Sequence, residues 1–174
     1  VQDSKKITDK DIKRIAEKLL FTFPKSFEVL ILNPVKYNDL YEKFRSQGKK
    51  LNEMLAWMHA RIILNLKQKH SFEGAVVDKF ANDKTMKTSL KGIEEVQLIQ
   101  KHQAESDIAV AAASVIARYF FLKNLRKLGD EFGIDLPKGA SAKVITAGKQ
   151  LTEHKISLGN VAKLHFKTTE KIKQ

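Results

Sequence analysis

Cysteine is missing from the 174 residues, which excludes disulfides, thiolate-ligated zinc and cysteine nucleophiles together. That composition fits a reducing compartment, and a cytoplasmic location is the expectation. Proline occurs three times and glycine eight, too few for a long linker or low-complexity region. No uninterrupted apolar run approaches the roughly 18 residues that span a bilayer. The opening VQDSKKITDK also lacks the apolar core of a signal peptide, so no membrane partner is expected. Neither a GxxxxGK[ST] phosphate loop nor a GxSxG nucleophile elbow occurs. His59, His70, His102, His154 and His165 are dispersed and form no zinc pattern; His59 reads as a packed helix residue before it reads as a catalyst.

What remains is a core-forming and strongly basic chain. A hydrophobic fraction of 43% is enough for a genuine interior, and the length suits one domain over residues 1–174. Thirty-two basic against twenty acidic residues leave a formal charge of +12. Such a surface collects polyanions by long-range attraction and counterion release, although a merely lysine-rich solvated surface has the same count.

Along the chain, Thr8 followed by Asp11 resembles a capping box, and Ile12, Ile15, Ala16 and Leu19 repeat on one helical face. Phe27–Leu32 (FEVLIL), closed by Asn33-Pro34, is a strand candidate, followed by a helix from Tyr37 to Phe44. LNEMLAWMHARIILNL places Leu51, Met54, Leu55, Met58, Ile62 and Leu66 in an amphipathic stripe. Ala75–Val77 reads as a buried strand ending at Asp78, and Val96–Ile99 as another. Ile108 to Leu128 reads as a deeply packed helix, and the lysine-rich remainder as more irregular. Strands separated by helices favour an α/β layer with parallel strands.

Three acids could carry chemistry. Asp78 sits at the carboxyl end of an apolar strand, where ligands bind in open α/β sheets; it either caps the strand or ligates a cation. Glu105 and Asp107 precede a helix whose Ala111, Ala112 and Ala113 permit close approach to a sheet, and each reads equally as a helix cap or N-terminal charge partner. Carboxylates suit magnesium. Phosphate contacts could come from Ser4, Lys5 and Lys6, from the Lys138-Gly139 turn, and from the tail lysines Lys163, Lys167, Lys171 and Lys173.

Taken in order, VQDSKK, RSQGKKLNEMLAWMHA, VVDKFA, QAESDIAVAAASVIARYFFL, LPKGASAKV and KLHFKTTEK resemble the type 2 ribonuclease H family, in its ribonuclease HIII branch. The resemblance runs over essentially the whole chain. It implies an α/β, ribonuclease H-like mixed sheet flanked by helices, and an endonuclease that hydrolyses the RNA strand of RNA/DNA hybrids to 5′-phosphate and 3′-hydroxyl ends. Four carboxylates would hold two magnesium ions, with manganese an alternative, at the scissile phosphate. Asp78 matches the third acid and Glu105 the fourth; Ser4, Lys5, Lys138 and Gly139 match substrate-backbone contacts. Ser141 stands where the pattern has glycine, and Lys167 and Thr168 depart from a more neutral HFANTEK.

The family's other two acids lie in a DExGxG strand upstream of DSKK, which here begins at Asp3. The expectation is therefore a partial catalytic domain without its N-terminal strands. It would carry two of four acids, leave an apolar strand edge unpaired, turn over little by itself, and belong to a monomeric intact enzyme that needs the N-terminal segment. The alternatives are a noncatalytic nucleic-acid-binding module or a structural partner that receives strands from another chain.

Overall fold

The computed structural model describes residues 7–90 and 95–173. Along them run α1 (Asp9–Thr22), α2 (Pro34–Ser46), α3 (Leu51–Lys67), β1 (Gly74–Asp78), α4 (Asp83–Ser89), β2 (Gln97–Lys101), α5 (Ile108–Phe132), α6 (Ala142–Glu153) and α7 (Lys167–Lys173). The chain divides into two compact units. One comprises the residues up to Leu30 with Phe44–Phe120; the other comprises Ile31–Lys43 with the residues from Phe121 onward.

In the first unit, α1 starts where its cap chemistry places it. The Thr8 hydroxyl accepts the Asp11 amide at 3.2 Å and donates to the Asp11 carboxylate at 2.8 Å. The helix then buries Ile12 and Ala16. The core of the unit joins Ala56, Ala60 and Ile63 of α3 to Val77 of β1 and to Ala81, Met86, Leu90 and Val96. Small side chains on α3 let its backbone approach its neighbours, and the completely buried Met86 fills the space with a side chain whose burial stabilises by about 1.5–3 kcal/mol. Only Met54 of the expected α3 stripe is fully buried; the alanine seam occupies the inner face instead.

β1 and β2 pair in parallel, from Gly74 opposite Gln97 to Asp78 opposite Lys101. A parallel pair needs a crossover rather than a hairpin, and α4 lies within it. This helix was not expected from the sequence. Its cap was readable: the Asn82 side chain accepts the Thr85 amide at 2.8 Å, but seven residues with one buried side chain give no clear periodicity.

Two expectations need correction. Phe27–Leu32 is not a strand. A strand exists only through its ladder, and among the described residues no backbone pairs with this segment. Side chains hold its neighbourhood instead: Glu28 accepts from Asn65 at 2.9 Å and Lys69 at 2.7 Å. Their donation, with the Lys69 charge, holds the Glu28 carboxyl below its usual range. The helix expected from Ile108 to Leu128 is present as α5, but it is not deeply packed all round. Ala111 and Val115 are buried while Ile108 is 75% and Phe121 53% exposed. By length and composition α5 would suffice to cross a bilayer. Arg118 interrupts its apolar run, and its guanidinium bonds Asp9 of α1 at 2.7 Å.

The second unit also differs from the irregular tail expected. α6 buries Ala147, Gly148 and Leu151, and α7 buries Thr169 and Ile172. Gly148 lets the two helices approach closely, since a Cβ there would press on Cδ1, Cγ1 and Cγ2 of Ile172. Asn38 on α2 ties down the loop that joins α6 to α7. Its amide nitrogen donates to the Gly159 and Ala162 carbonyls at 3.2 and 2.9 Å, and its oxygen accepts the Leu164 amide at 3.0 Å.

Candidate metal centre

The candidate centre is built at the carboxyl end of β1. Pairing continues one residue past Asp78, where the Lys79 amide donates to the Lys101 carbonyl at 2.9 Å. The strand beside it then turns sharply. Gln103 has φ of 54°, a left-handed conformation that side chains other than glycine and asparagine disfavour, and it leads into a 3-10 turn at Ala104–Ser106. Ala104 is completely buried, which anchors that turn. Its amide donates to Asp78 Oδ1 at 3.3 Å. The bond joins positions 26 residues apart and brings the residue before Glu105 onto the Asp78 carboxylate. Asp78 itself is exposed and Glu105 half-buried, so both remain open to an incoming ion.

Asp107 has a different task. Its Oδ1 accepts the amides of Ala109 at 2.8 Å and Val110 at 3.4 Å, satisfying two of the donors that a helix start leaves open. Of the two acids flanking Ser106, one is therefore engaged as the cap of α5 while no hydrogen bond to the Glu105 carboxylate is formed among the described residues.

Two hard oxygen donors at one turn suit a divalent cation such as magnesium or manganese. Among the described residues no group of three or more histidine, aspartate or glutamate side chains converges, so no complete ligand set is present among them. Three of the histidines are engaged elsewhere. His59 stacks on Phe80 at 4.9 Å, and burial lowers its pKa, as a packed ring requires. His70 and His154 bond the carbonyls of Lys25 and Gln150.

Of the remaining sequence candidates, Ser4 and Lys5 lie outside the described residues, as does Lys6. Lys138 and Gly139 belong to the second unit, both exposed. Gly139 has φ of 91°, a conformation that suits glycine, and its amide has no hydrogen-bond partner among the described residues. The contribution that sequence reading missed is the Ala104 amide. A backbone donor leaves no side-chain signature, so only the fold reveals it.

A sequence model of the family described as Ribonuclease HII matches residues 1–169. The chain belongs to the ribonuclease HII family. It is 38% identical to "Ribonuclease HIII" of Protochlamydia amoebophila (strain UWE25) over 99% of its own length and 56% of the relative's. It is 42% identical to "Ribonuclease HIII" of Chlamydia abortus (strain DSM 27085 / S26/3), over 97% of this chain and 56% of that one. The crystal structure of Bst-RNase HIII in complex with Mn2+ superposes with a TM-score of 0.80 and 31% identity, covering 98% of this chain and 56% of that chain. The chain thus spans about half the length of the curated relatives it matches. These matches make the α/β arrangement ribonuclease H-like, a helix-rich member of the ribonuclease HII family with a small parallel sheet among its described residues.

Proposed function

We propose that this chain is part of the catalytic domain of a metal-dependent ribonuclease H, an endonuclease that hydrolyses the RNA strand of RNA/DNA hybrids and leaves 5′-phosphate and 3′-hydroxyl ends. The observation that carries the reading is the Ala104–Asp78 bond, which joins the strand-end acid to the turn bearing Glu105. Membership of the ribonuclease HII family and the Mn2+ complex of the similar Bst-RNase HIII support it. Asp78 and Glu105 are the proposed metal ligands, with magnesium or manganese the ion. When bound, divalent ions would activate water and stabilise the charged oxygens of an in-line displacement at phosphorus.

The protein's own contribution is positioning. The Ala104 amide fixes one oxygen of Asp78, and the anchored 3-10 turn fixes the start of the Glu105 side chain. Ser4, Lys5, Lys138 and the Gly139 amide are the proposed contacts to the nucleic-acid backbone, which position the duplex without reading its sequence. A noncatalytic nucleic-acid-binding role is the second reading. It is favoured by one observation, that no group of three or more acidic or histidine side chains converges among the described residues, and it predicts hybrid binding by this chain with little turnover.

The test replaces Asp78 by Asn and Glu105 by Gln in the full-length protein. Each change keeps size and removes the charge that attracts a hard cation. Hybrid cleavage should fall by more than the roughly 10- to 100-fold that loss of an outer-shell partner costs, with hybrid affinity nearly unchanged because the phosphate backbone dominates binding. Undiminished magnesium-dependent cleavage in both folded variants would remove the proposed centre.

A further inference from the structure

The second unit carries a concentration of charge of which the cleavage reading uses only Lys138. From Lys138 to Gln174 there are eight lysines against two acidic residues, and all eight lysines are exposed. Lys163 and Lys167 bracket a short aromatic segment, and among the described residues neither forms an ion pair. Lys167 is also one of the two positions where KLHFKTTEK departs from the more neutral pattern it otherwise resembles.

Between those lysines the rings form a column. Tyr41 stacks on His165 at 4.3 Å with 20° between planes. Phe166 follows on His165 at 4.2 Å, tilted by 34°. Tyr37 flanks the imidazole at 5.7 Å and carries the Lys163 ammonium 4.3 Å above its ring. Both nitrogens of His165 are buried without a hydrogen-bond partner among the described residues, so this imidazole serves as an aromatic plate rather than a polar contact. The column ends in the open: Phe166 is 49% exposed.

The platform is also held rigid. Asn38 fixes the Leu164 amide, the Thr169 hydroxyl donates to the Lys163 carbonyl at 3.1 Å, and the Thr169 amide donates to the Phe166 carbonyl at 2.9 Å. Pre-organisation reduces the ordering cost of binding. A flat exposed ring continuing an aromatic column, with an ammonium on either side in sequence, matches the face of an unpaired nucleobase and its adjoining phosphates. The interior of a duplex offers no such match, because its base faces are already stacked.

We propose that Phe166, backed by His165 and Tyr41 and flanked by Lys163 and Lys167, is a stacking platform for an unpaired nucleotide of a single-stranded nucleic-acid segment. The platform goes beyond the cleavage reading and needs no metal, so the two fail separately.

The experiment measures anisotropy of labelled oligo(dT), of a blunt RNA/DNA hybrid, and of the same hybrid with a single-stranded extension. It uses the full-length protein with divalent ions chelated. Phe166→Ala should weaken oligo(dT) binding at least about fivefold and abolish any advantage of the extended over the blunt hybrid, leaving the blunt one unchanged. Lys167→Ala should lower the salt slope on oligo(dT) by about 0.7. Phe166→Trp in a Trp57→Phe background should keep the affinity and show indole quenching when oligo(dT) binds. Phe21→Ala removes a ring that is 89% exposed outside this unit and should change nothing.

Unchanged oligo(dT) binding by Phe166→Ala overturns the proposal, as does an equal loss on blunt hybrid. Binding to phosphatidylserine vesicles that depends on Phe166 while oligo(dT) binding does not would assign the patch to a lipid surface instead. If Phe166→Ala fails to fold by circular dichroism, absent quenching in the tryptophan variant together with an unaltered salt slope in Lys167→Ala overturns it.

Discussion

Asp107→Ala removes the cap of α5 without touching Asp78 or Glu105, and its effect can be worked from two bonds. The Ala109 amide lies 2.8 Å from the Asp107 carboxylate and the Val110 amide 3.4 Å away, so one bond is strong and the second marginal. Loss of an N-cap side chain costs about 0.5–2 kcal/mol, and loss of a negative charge at a helix start costs a further ~0.3–1 kcal/mol. A total of about 1–3 kcal/mol lowers the melting temperature of a protein of this size by roughly 2–12 °C. Asp107→Asn retains the acceptor and should show only the smaller charge effect. Glu105→Gln, whose carboxylate caps nothing, should melt within about 1 °C of the parent while losing hybrid cleavage. The assay is thermal unfolding of the full-length variants beside their cleavage rates under identical magnesium. A folded Asp107→Asn enzyme that has lost cleavage, set against a fully active Glu105→Gln, would show that the two acids had been assigned the wrong way round.

Gly148→Ala drives a methyl against three carbons of Ile172 at 2.4–3.0 Å; overpacking of about 1–3 kcal/mol, less roughly 1 kcal/mol of helix propensity recovered, should give a net loss detectable by urea unfolding, and Ile172→Ala in the same chain should relieve the clash and reveal a coupling between the sites. Stability should also fall on acidification. Burial lowers the pKa of His59 and of His165, the latter further lowered by Lys163. The unfolded chain therefore binds more protons below the ordinary histidine value near 6.5; stability is full above that pH and declines as pH drops toward the depressed folded values. Urea midpoints between pH 7.5 and 5 should show the decline, and His165→Phe should make it shallower; an identical pH profile in that variant would contradict the argument.

Much of the local architecture is legible because local rules write it. Thr8 and Asp11 announce α1, the apolar run ending at Asp78 announces β1, and the alanine-rich start of α5 is plain in composition. The failures share a different cause. Phe27–Leu32 has strand-like residues but no described ladder, and ladder formation depends on partners remote in sequence. The inner face of α3 is Ala56 and Ala60 rather than the larger residues beside them, a choice set by how closely α3 can approach its neighbours. α6 and α7 are obscured by their many lysines, although Ala147, Gly148, Leu151 and Ile172 supply the buried faces. At the candidate centre, residue type and strand position singled out Asp78. The family resemblance favours Glu105 over Asp107; the residues alone leave either as a helix cap, and the structure adds that Asp107 is the one that caps α5.

The bond from the Ala104 amide to Asp78 has a practical bearing on fragment exchange with related chains. Asp78 and the turn before Glu105 are stitched together through the β1–β2 register, and the left-handed Gln103 sets the direction of that turn. A chimera cut between the two strands would inherit one acid from each parent and a splice across their shared ladder. The exchangeable cassette begins before Gly74 and ends after Val110, so that strand pair, turn, both acids and the Asp107 cap travel as one inheritance.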